Sequence, residues 1–194
     1  IEGTEFSVER ITGINENVAI NLLSDQLLNL PQNSSAILLG RYRFDINIIK
    51  ASRYLTYHYD NSKKSVIVTH ALRKDLKISF MTIHASKGLQ ADYVFILNNK
   101  CYGAGFPSKI VDAPILSLLL DNSDSFPEAE ERRLFYVATT QAKKKVWLVT
   151  IEKNISEFVN EIEEAFGKQI KNTTLTCPKC GGKLVKRNGI NGSF

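Results

Sequence analysis

Apolar residues recur along the chain in short uninterrupted runs that are separated by polar segments. Such runs predict buried strands at residues 36–39, 66–68, 78–83, 93–97 and 146–151, with an edge strand at 6–11. Apolar residues at helical spacing predict helices at residues 15–30, 44–55, 110–120 and 156–166. The polar stretch at 57–65 is expected to be a loop. Strands and helices therefore alternate, which favours an α/β fold with a parallel sheet flanked by helices.

The break between two of these buried runs carries a cluster of polar side chains. His84, Ser86 and Lys87 lie close together between the run that ends at Ile83 and the run that ends at Leu97. Continuous apolar runs suit strands of a parallel sheet that is covered on both faces. Because such sheets place their binding residues where strands end, this break is predicted to be a functional site.

A further amphipathic helix is predicted between the last two strands. The sequence SFPE at residues 125–128 has a capping-box pattern with proline in the first turn. At helical spacing one stripe follows, formed by Leu134, Val137, Ala138 and Gln141. The lysines at 143–145 are expected to end this helix, since cations suit the negative end of a helix dipole.

The composition narrows the class of protein. The chain has 194 residues, of which 43% are hydrophobic, so it can bury a core of ordinary size. It has no apolar run of 18 residues and no signal-peptide pattern at its start, so we expect no membrane partner. Three cysteines are too few for a disulfide scaffold and favour a cytoplasmic, reducing compartment. The absence of a starting Met indicates a piece of a longer protein.

The positive charge of the chain is concentrated in its last thirty residues. The net charge is +5, and from Ala165 onward there are lysines and arginines but no acidic residue. Such a segment is either a footprint for nucleic acid or a solvated tail. Within it, Cys177 and Cys180 form a C-x-x-C turn followed by glycine, which supplies half of a tetrahedral zinc site. A redox pair is the alternative, but no thioredoxin-like surroundings support it.

Two long motifs resemble those of the UvrD/Rep-like superfamily 1 DNA helicases. TIHASKGLQADYVFIL, at residues 82–97, is similar to their motif V, and Glu130–Val149 is similar to their motif VI. The resemblance covers roughly Ala36 to Thr150 and implies a RecA-like domain. The large insertion of UvrD and Rep is missing between Leu39 and Thr82, which brings the chain closer to the helicase IV branch.

This resemblance implies roles for individual residues. Thr82, His84, Ser86 and Lys87 correspond to the part of motif V that binds DNA, and in the family the histidine contacts the DNA backbone. Gly88 and Gln90 fall on the nucleotide side, where the family has a glutamate that touches the ribose. Arg41 and Arg133 are further candidates for the nucleotide site.

Motif VI departs from the family pattern at the residue that matters most for hydrolysis. The family sequence YVAxTRAK carries an arginine finger that reaches the γ-phosphate, and this chain has Gln141 in its place. A fixed positive charge stabilises the negative charge that develops in phosphoryl transfer, whereas an amide only orients. Either hydrolysis is weaker, or another arginine such as Arg41, Arg43 or Arg133 substitutes, or ATP serves as a switch.

Sequence elements that bind the triphosphate are missing. The chain has no G-x-x-x-x-G-K-[ST] loop, no pair of carboxylates at a strand end and no QNYRS element. The resemblance therefore implies the second of two RecA-like domains, with ATP and Mg²⁺ completed by an upstream domain of the same protein. The fragment alone is expected to be inactive.

The expected organisation is a RecA-like domain at residues 1–167 and a basic linker with a partial zinc ribbon at 168–194. That tail resembles the start of the four-cysteine ribbon of bacterial type I topoisomerases, and Zn²⁺ is expected only if the chain extends beyond Phe194. The first functional hypothesis is the C-terminal motor domain of an ATP-dependent helicase that binds single-stranded or partly duplex DNA. The alternatives are an ATPase that remodels RNA polymerase or another DNA-bound complex without unwinding, and a scaffold that binds only protein.

Overall fold

A computed structural model describes residues 7–60, 65–110, 128–166, 171–173, 188–189 and 192–193. In these ranges the chain forms one eight-stranded mixed sheet with helices on both faces. The predicted helix at 110–120, the predicted cap at 125–127 and the two cysteines of the zinc turn fall outside these ranges, apart from Ile110 itself. No helix of the described residues is both long and apolar enough to cross a membrane.

The strands of the large sheet follow the order β3-β4-β5-β2-β6-β7-β1-β8. Their bounds are β1 (Ser7–Gly13), β2 (Ser35–Gly40), β3 (Leu55–Asp60), β4 (Ser65–His70), β5 (Lys77–Thr82), β6 (Ala91–Ile96), β7 (Ala142–Ile151) and β8 (Lys171–Thr173). Six of them, from β5 through β2, β6, β7 and β1 to β8, pair in parallel. Two short strands, β9 (Asn188–Gly189) and β10 (Gly192–Ser193), pair with each other.

The sheet differs from the predicted one at both edges. β3 and β4 form an antiparallel hairpin that adds to β5, so the sheet is mixed and the predicted loop at 57–65 begins within a strand. β3 was not predicted because only one of its six residues is buried, and a strand with little buried surface shows no clear apolar pattern. β1 is not an edge strand, since it pairs with β7 on one side and with β8 on the other.

Three α-helices lie in the described chain: α1 (Glu16–Leu28), α2 (Ala129–Thr140) and α3 (Glu157–Phe166). Short 3₁₀ helices occupy Arg43–Ala51, His84–Ser86 and Glu152–Asn154. α1 begins at a cap, because the Asn15 side chain accepts a hydrogen bond from the Val18 N–H at 3.0 Å. The segment predicted as a helix to residue 55 is a 3₁₀ helix that ends four residues earlier.

α2 ends earlier than the lysine run predicts. Its last residue is Thr140, and the lysines at 143–145 belong to β7. The reason is the pairing of β7 with β6, which begins at Ala142 opposite Ala91 and takes the backbone out of the helix. Position in the sheet therefore outweighs the favourable interaction of lysine with a helix end.

Two apolar cores lie on opposite faces of the sheet. On one face α1 and the 3₁₀ helix at 43–51 cover Leu38, Phe95 and Trp147. On the other face α2 and α3 cover a second cluster, whose strand residues include Ile37, Leu39, Val94, Ile96, Val146 and Leu148. Neighbouring residues of β2, β6 and β7 thus alternate between the two cores, which explains why these strands are continuous apolar runs.

Candidate functional site

Two of the predicted DNA-binding residues lie at the carboxyl edge of the sheet, where the parallel strands end. β2 ends at Gly40 and β5 ends at Thr82, and these two residues are register partners. The Ile83 N–H donates a hydrogen bond to the Gly40 carbonyl at 3.0 Å, which holds the chain against β2 as it leaves β5. Thr82 is partly exposed and His84 is exposed at this edge.

Residues 83–90 form a crossover that carries the chain from the carboxyl end of β5 to the amino end of β6. β2 lies between these two strands, so the crossover passes over it. Ile83 anchors the crossover in the core beneath α2, where it is fully buried. A stretch of only eight residues thus connects the two edges of the sheet.

The structure assigns Ser86 to the inside of this crossover. Its side chain is fully buried, and its hydroxyl donates to the Ile83 carbonyl at 2.7 Å. Its own carbonyl accepts the Leu89 N–H at 2.9 Å. The hydroxyl is thus bonded within its own turn and does not face solvent, and the contact of Ser86 with DNA stays a prediction.

The remaining crossover residues are exposed. Lys87, Gly88 and Gln90 all face solvent. Gly88 has a positive φ of 84°, and an added Cβ there would meet no atom within 4 Å. Glycine is therefore required at this position by backbone conformation and not by lack of space.

Gln141 lies at the opposite, amino edge of the sheet, beside Gln90. The Ala91 N–H donates to the Gln141 carbonyl at 3.1 Å, which joins the end of α2 to the residue that follows Gln90. The structure thus brings together two of the predicted nucleotide residues. Gln141 is only 6% exposed, so its amide does not extend from the surface as an arginine finger would.

Arg41 is committed to an ion pair at the carboxyl edge. Its Nε donates to Glu131 Oε1 at 2.8 Å, and its NH2 group lies 2.7 Å from the same oxygen. Burial disfavours the charge of Arg41, but the hydrogen bond and the Coulomb attraction to Glu131 outweigh it and raise the pKa. Gln141 follows Glu131 by ten residues of α2, which corresponds to about 15 Å. Arg41 is thus held by Glu131 and is distant from Gln141, and its role at the nucleotide stays a prediction.

Arg133 is on the exposed surface of α2. Its side chain is 60% exposed and lies 3.6 Å from Glu130, its neighbour one turn earlier. Pairs of this kind contribute little to stability. Arg133 is thus far more accessible than Arg41, while it precedes Gln141 by about two turns of helix.

Sequence reasoning missed the residues that build the carboxyl edge around Arg41. Tyr42 forms a 2.6 Å hydrogen bond through its hydroxyl to Ser108 Oγ, and its N–H donates to Asp45 Oδ2 at 2.8 Å. Asp45 is buried, and burial raises its pKa. The sequence feature that could have indicated this site is an aromatic residue between two arginines directly after a buried strand, followed by Phe44.

A metal centre is not formed by the described side chains. In the ranges that the structure covers, no group of three or more His, Cys, Asp or Glu side chains is placed to hold an ion. Cys177 and Cys180 lie outside those ranges, so the zinc turn stays a prediction.

The chain is similar to helicases in sequence. The family model described as "UvrD-like helicase C-terminal domain" matches residues 42–153. DNA helicase IV of Escherichia coli K12 is 49% identical over 84 residues, which cover 43% of this chain and 12% of that protein. A probable DNA helicase II homolog of Mycoplasma capricolum is 31% identical over 141 residues, which cover 61% of this chain and 18% of that protein. The chain therefore spans less than a fifth of these relatives.

A solved structure shares the fold. The C-terminal domain of a possible DNA helicase from Lactobacillus plantarum matches with a TM-score of 0.51 and 14% identity, over 84% of this chain and 83% of that one. Identity this low supports the fold alone, whereas the family model covers more than half of the sequence and includes both the crossover and α2. The chain belongs to the UvrD-like helicase C-terminal domain family.

Proposed function

We propose that this chain is the C-terminal motor domain of an ATP-dependent DNA helicase and works with an upstream RecA-like domain. The observation that carries the proposal is the division of the motif residues between two edges of one sheet. His84 and Thr82 lie at the carboxyl edge, and Gln90 and Gln141 lie together at the amino edge. Two separate surfaces suit a domain that binds two different ligands.

DNA is assigned to the carboxyl edge. His84 is exposed there and Thr82 is partly exposed, and the exposed Lys87 follows three residues after His84 along the crossover. Hydroxyl, imidazole and ammonium groups are typical donors to backbone phosphates, and such contacts position a protein on DNA without reading its sequence. We therefore expect binding to single-stranded DNA that depends on salt more than on sequence.

ATP is assigned to the amino edge, against the upstream domain. The exposed amide of Gln90 suits a ribose hydroxyl, and Gly88 leaves open space for a ligand to approach. Gln141 carries no charge and is buried, so this chain offers an orienting amide where a finger would supply a cation. When bound, ATP with Mg²⁺ supplies the free energy of hydrolysis. The phosphate-binding loop is assigned to the upstream domain, because this chain has none.

The first test is phosphate release by the purified chain, with and without single-stranded DNA. We expect no turnover, and robust DNA-stimulated turnover would contradict the two-domain proposal. In a longer protein that includes the upstream domain, His84→Ala should lower the DNA-stimulated rate more than the basal rate. His58→Ala, an exposed histidine on β3, is the matched control. A parallel fall of both rates would remove His84 from the DNA site.

The same longer protein tests Gln141. Gln141→Arg should raise the maximal rate of ATP hydrolysis, or at least leave it unchanged, with little change in DNA affinity. Fingers in other enzymes contribute about 10³–10⁵ in rate, but the burial of this position limits how much of that is recovered. Gln141→Ala should be slightly slower than the natural protein. A clear fall for Gln141→Arg in a protein with an unchanged melting temperature would mean that Gln141 either has a specific role of its own or does not face the nucleotide.

Zinc is assigned to a longer form of the chain. Cys177 and Cys180 supply two of the four ligands that structural zinc takes. We expect stoichiometric zinc by mass spectrometry only when the protein extends past Phe194. Stoichiometric zinc in a monomer of the present chain would contradict this assignment.

A further inference from the structure

We infer that Tyr42 and Phe44 form a platform on which one base of single-stranded DNA stacks, an inference that rests on the proposed function of the carboxyl edge. The two rings are stacked on each other, with centroids 5.0 Å apart and planes inclined by 8°. The guanidinium carbon of Arg41 lies over the Tyr42 ring, 5.1 Å from its centroid. These two aromatic residues are called the stacked pair below.

The stacked pair leaves apolar ring surface open to solvent. Phe44 is 52% exposed although one side of its ring is covered by Tyr42. Proteins that bind single strands use accessible aromatic rings in this way, because every base has a flat surface that stacks irrespective of its identity. An exposed phenylalanine that is already packed on a second ring presents such a surface.

Hydrogen bonds hold Tyr42, the ring on which Phe44 packs, in place before any ligand arrives. The Tyr42 hydroxyl bonds to Ser108 Oγ, and the Ser108 N–H donates to Glu131 Oε2 at 3.0 Å. The same glutamate pairs with Arg41. Because the Tyr42 ring is fixed at both its backbone and its hydroxyl, the surface on which Phe44 packs is formed in advance, and less ordering opposes binding.

The position of the stacked pair matches the path proposed for DNA. Tyr42 and Phe44 follow Gly40 by two and four residues, and Gly40 is the register partner of Thr82. The platform therefore lies at the same carboxyl edge as the proposed phosphate contacts. The polar residues at this edge are proposed to contact the DNA backbone. The Phe44 ring adds a contact with a base, which polar contacts to phosphates do not provide.

A row of exposed residues extends from the platform along the 3₁₀ helix. Three residues per turn place Phe44, Asn47 and Lys50 in line, and all three are exposed. Lys50 lies about 12 Å along the axis from Phe44 at the rise of such a helix. Its ammonium group is 6.0 Å from the centroid of the Tyr57 ring. At the end of this row, the Lys50 ammonium group is expected to contact a DNA phosphate beyond the stacked base.

The test is the affinity of this chain for fluorescently labelled oligothymidine, measured by anisotropy at low salt. Phe44→Ala should weaken binding about 5- to 150-fold, the range that stacking on one aromatic ring contributes. Phe44→Tyr should stay within about twofold, since it keeps the ring. Tyr136→Ala is the matched control, because Tyr136 is an exposed aromatic residue on α2, with 70% exposure.

A second probe separates stacking from every other role of Phe44. An oligonucleotide of the same length that lacks bases should bind the natural protein and Phe44→Ala equally well. An equal loss on both probes would mean that Phe44 supports the fold or the backbone contacts, and would overturn the platform. Natural affinity of Phe44→Ala for oligothymidine would also overturn it, while the DNA-binding function would stand. If the natural protein binds neither probe, the proposed function and the platform both fail.

Discussion

The ion pair between Arg41 and Glu131 joins the carboxyl end of β2 to the first turn of α2, and its removal is the sharpest test of how this domain is held together. Both side chains are largely buried, with exposures of 17% and 12%. Glu131 also accepts a hydrogen bond from the Ser108 N–H, so it connects α2, the end of β2 and the segment around Ser108. We expect Arg41→Ala to leave a carboxylate that is poorly solvated and has lost its main partner.

The magnitude follows from these contacts. Hydrogen bonds to charged groups contribute about 1.5–3 kcal/mol, and breaking a fully buried pair costs about 3–5 kcal/mol. Since this pair is largely but not fully buried, Arg41→Ala should lower the free energy of unfolding by about 2–3 kcal/mol. Glu131→Ala should cost a similar amount. The double variant should cost less than the sum, with a coupling of about 1–3 kcal/mol.

The assay is urea unfolding followed by tryptophan fluorescence. Trp147 is the only tryptophan of the chain, and it is buried against Phe95 with ring centroids 4.6 Å apart, so its emission reports the loss of the core. The control cycle uses Arg132 and Glu161, which are exposed by 42% and 48%. An exposed pair should show a coupling below about 1 kcal/mol that weakens in salt.

A coupling below about 0.5 kcal/mol for Arg41 and Glu131, in the range where independent sites add, would refute this reasoning. It would mean that the pair contributes nothing beyond its separate side chains, and that Arg41 is free to serve a ligand. Conversely, a large coupling would account for Arg41 without any role at the nucleotide. The cycle thus decides between two roles that the sequence leaves open.

Three further predictions concern single side chains. His70 is buried, accepts the Leu72 N–H at Nδ1 and lies 3.0 Å from Ser24 Oγ, and burial lowers its pKa. The neutral imidazole is therefore favoured in the folded state, and the free energy of unfolding should fall as the pH drops below 6.5 towards the lowered pKa of the folded protein. The fall should reach at most about 1.4 kcal/mol per pH unit. Urea titrations at several pH values should show it for the natural protein and not for His70→Gln. Gly88→Ala should cost about 1–2 kcal/mol in the same assay, and Gly88→Asn less, because only the positive φ opposes a side chain there. Lys50→Ala should reduce the salt dependence of DNA binding by about one phosphate contact, and an unchanged slope in anisotropy titrations would exclude that contact.

Part of the fold could be predicted because strands that are buried on both faces consist of consecutive apolar residues, which are visible in the sequence. β2, β6 and β7 lie in the middle of the sheet, so their buried residues are apolar on both faces and form continuous runs. β3 lies at an edge with only one of its six residues buried, and it forms no such run. The end of α2 was missed because the pairing of β7 with β6, which sets it, joins residues far apart in the chain.

The same limit applies to the site. The resemblance drew attention to His84 and Gln90, and the structure places both residues on the crossover between two apolar strands. The burial of Ser86 depends on a turn that its own hydroxyl closes, which a list of polar residues does not reveal. The pairing of Arg41 with Glu131 joins residues that are ninety positions apart. Such contacts follow from the direction of α2 across the sheet, and no local pattern encodes that direction.

α2 and the crossover both run from one edge of the sheet to the other. The pair of Arg41 and Glu131 fastens the first turn of α2 to the carboxyl edge, and the Ala91 N–H fastens its end through the Gln141 carbonyl to the amino edge. A helix held at both ends and packed on a close-packed core does not tilt without breaking one of these contacts. Under the proposed function, the DNA edge and the nucleotide edge therefore move as one body. The motion that hydrolysis drives is then expected between this domain and the upstream domain, and not within this chain.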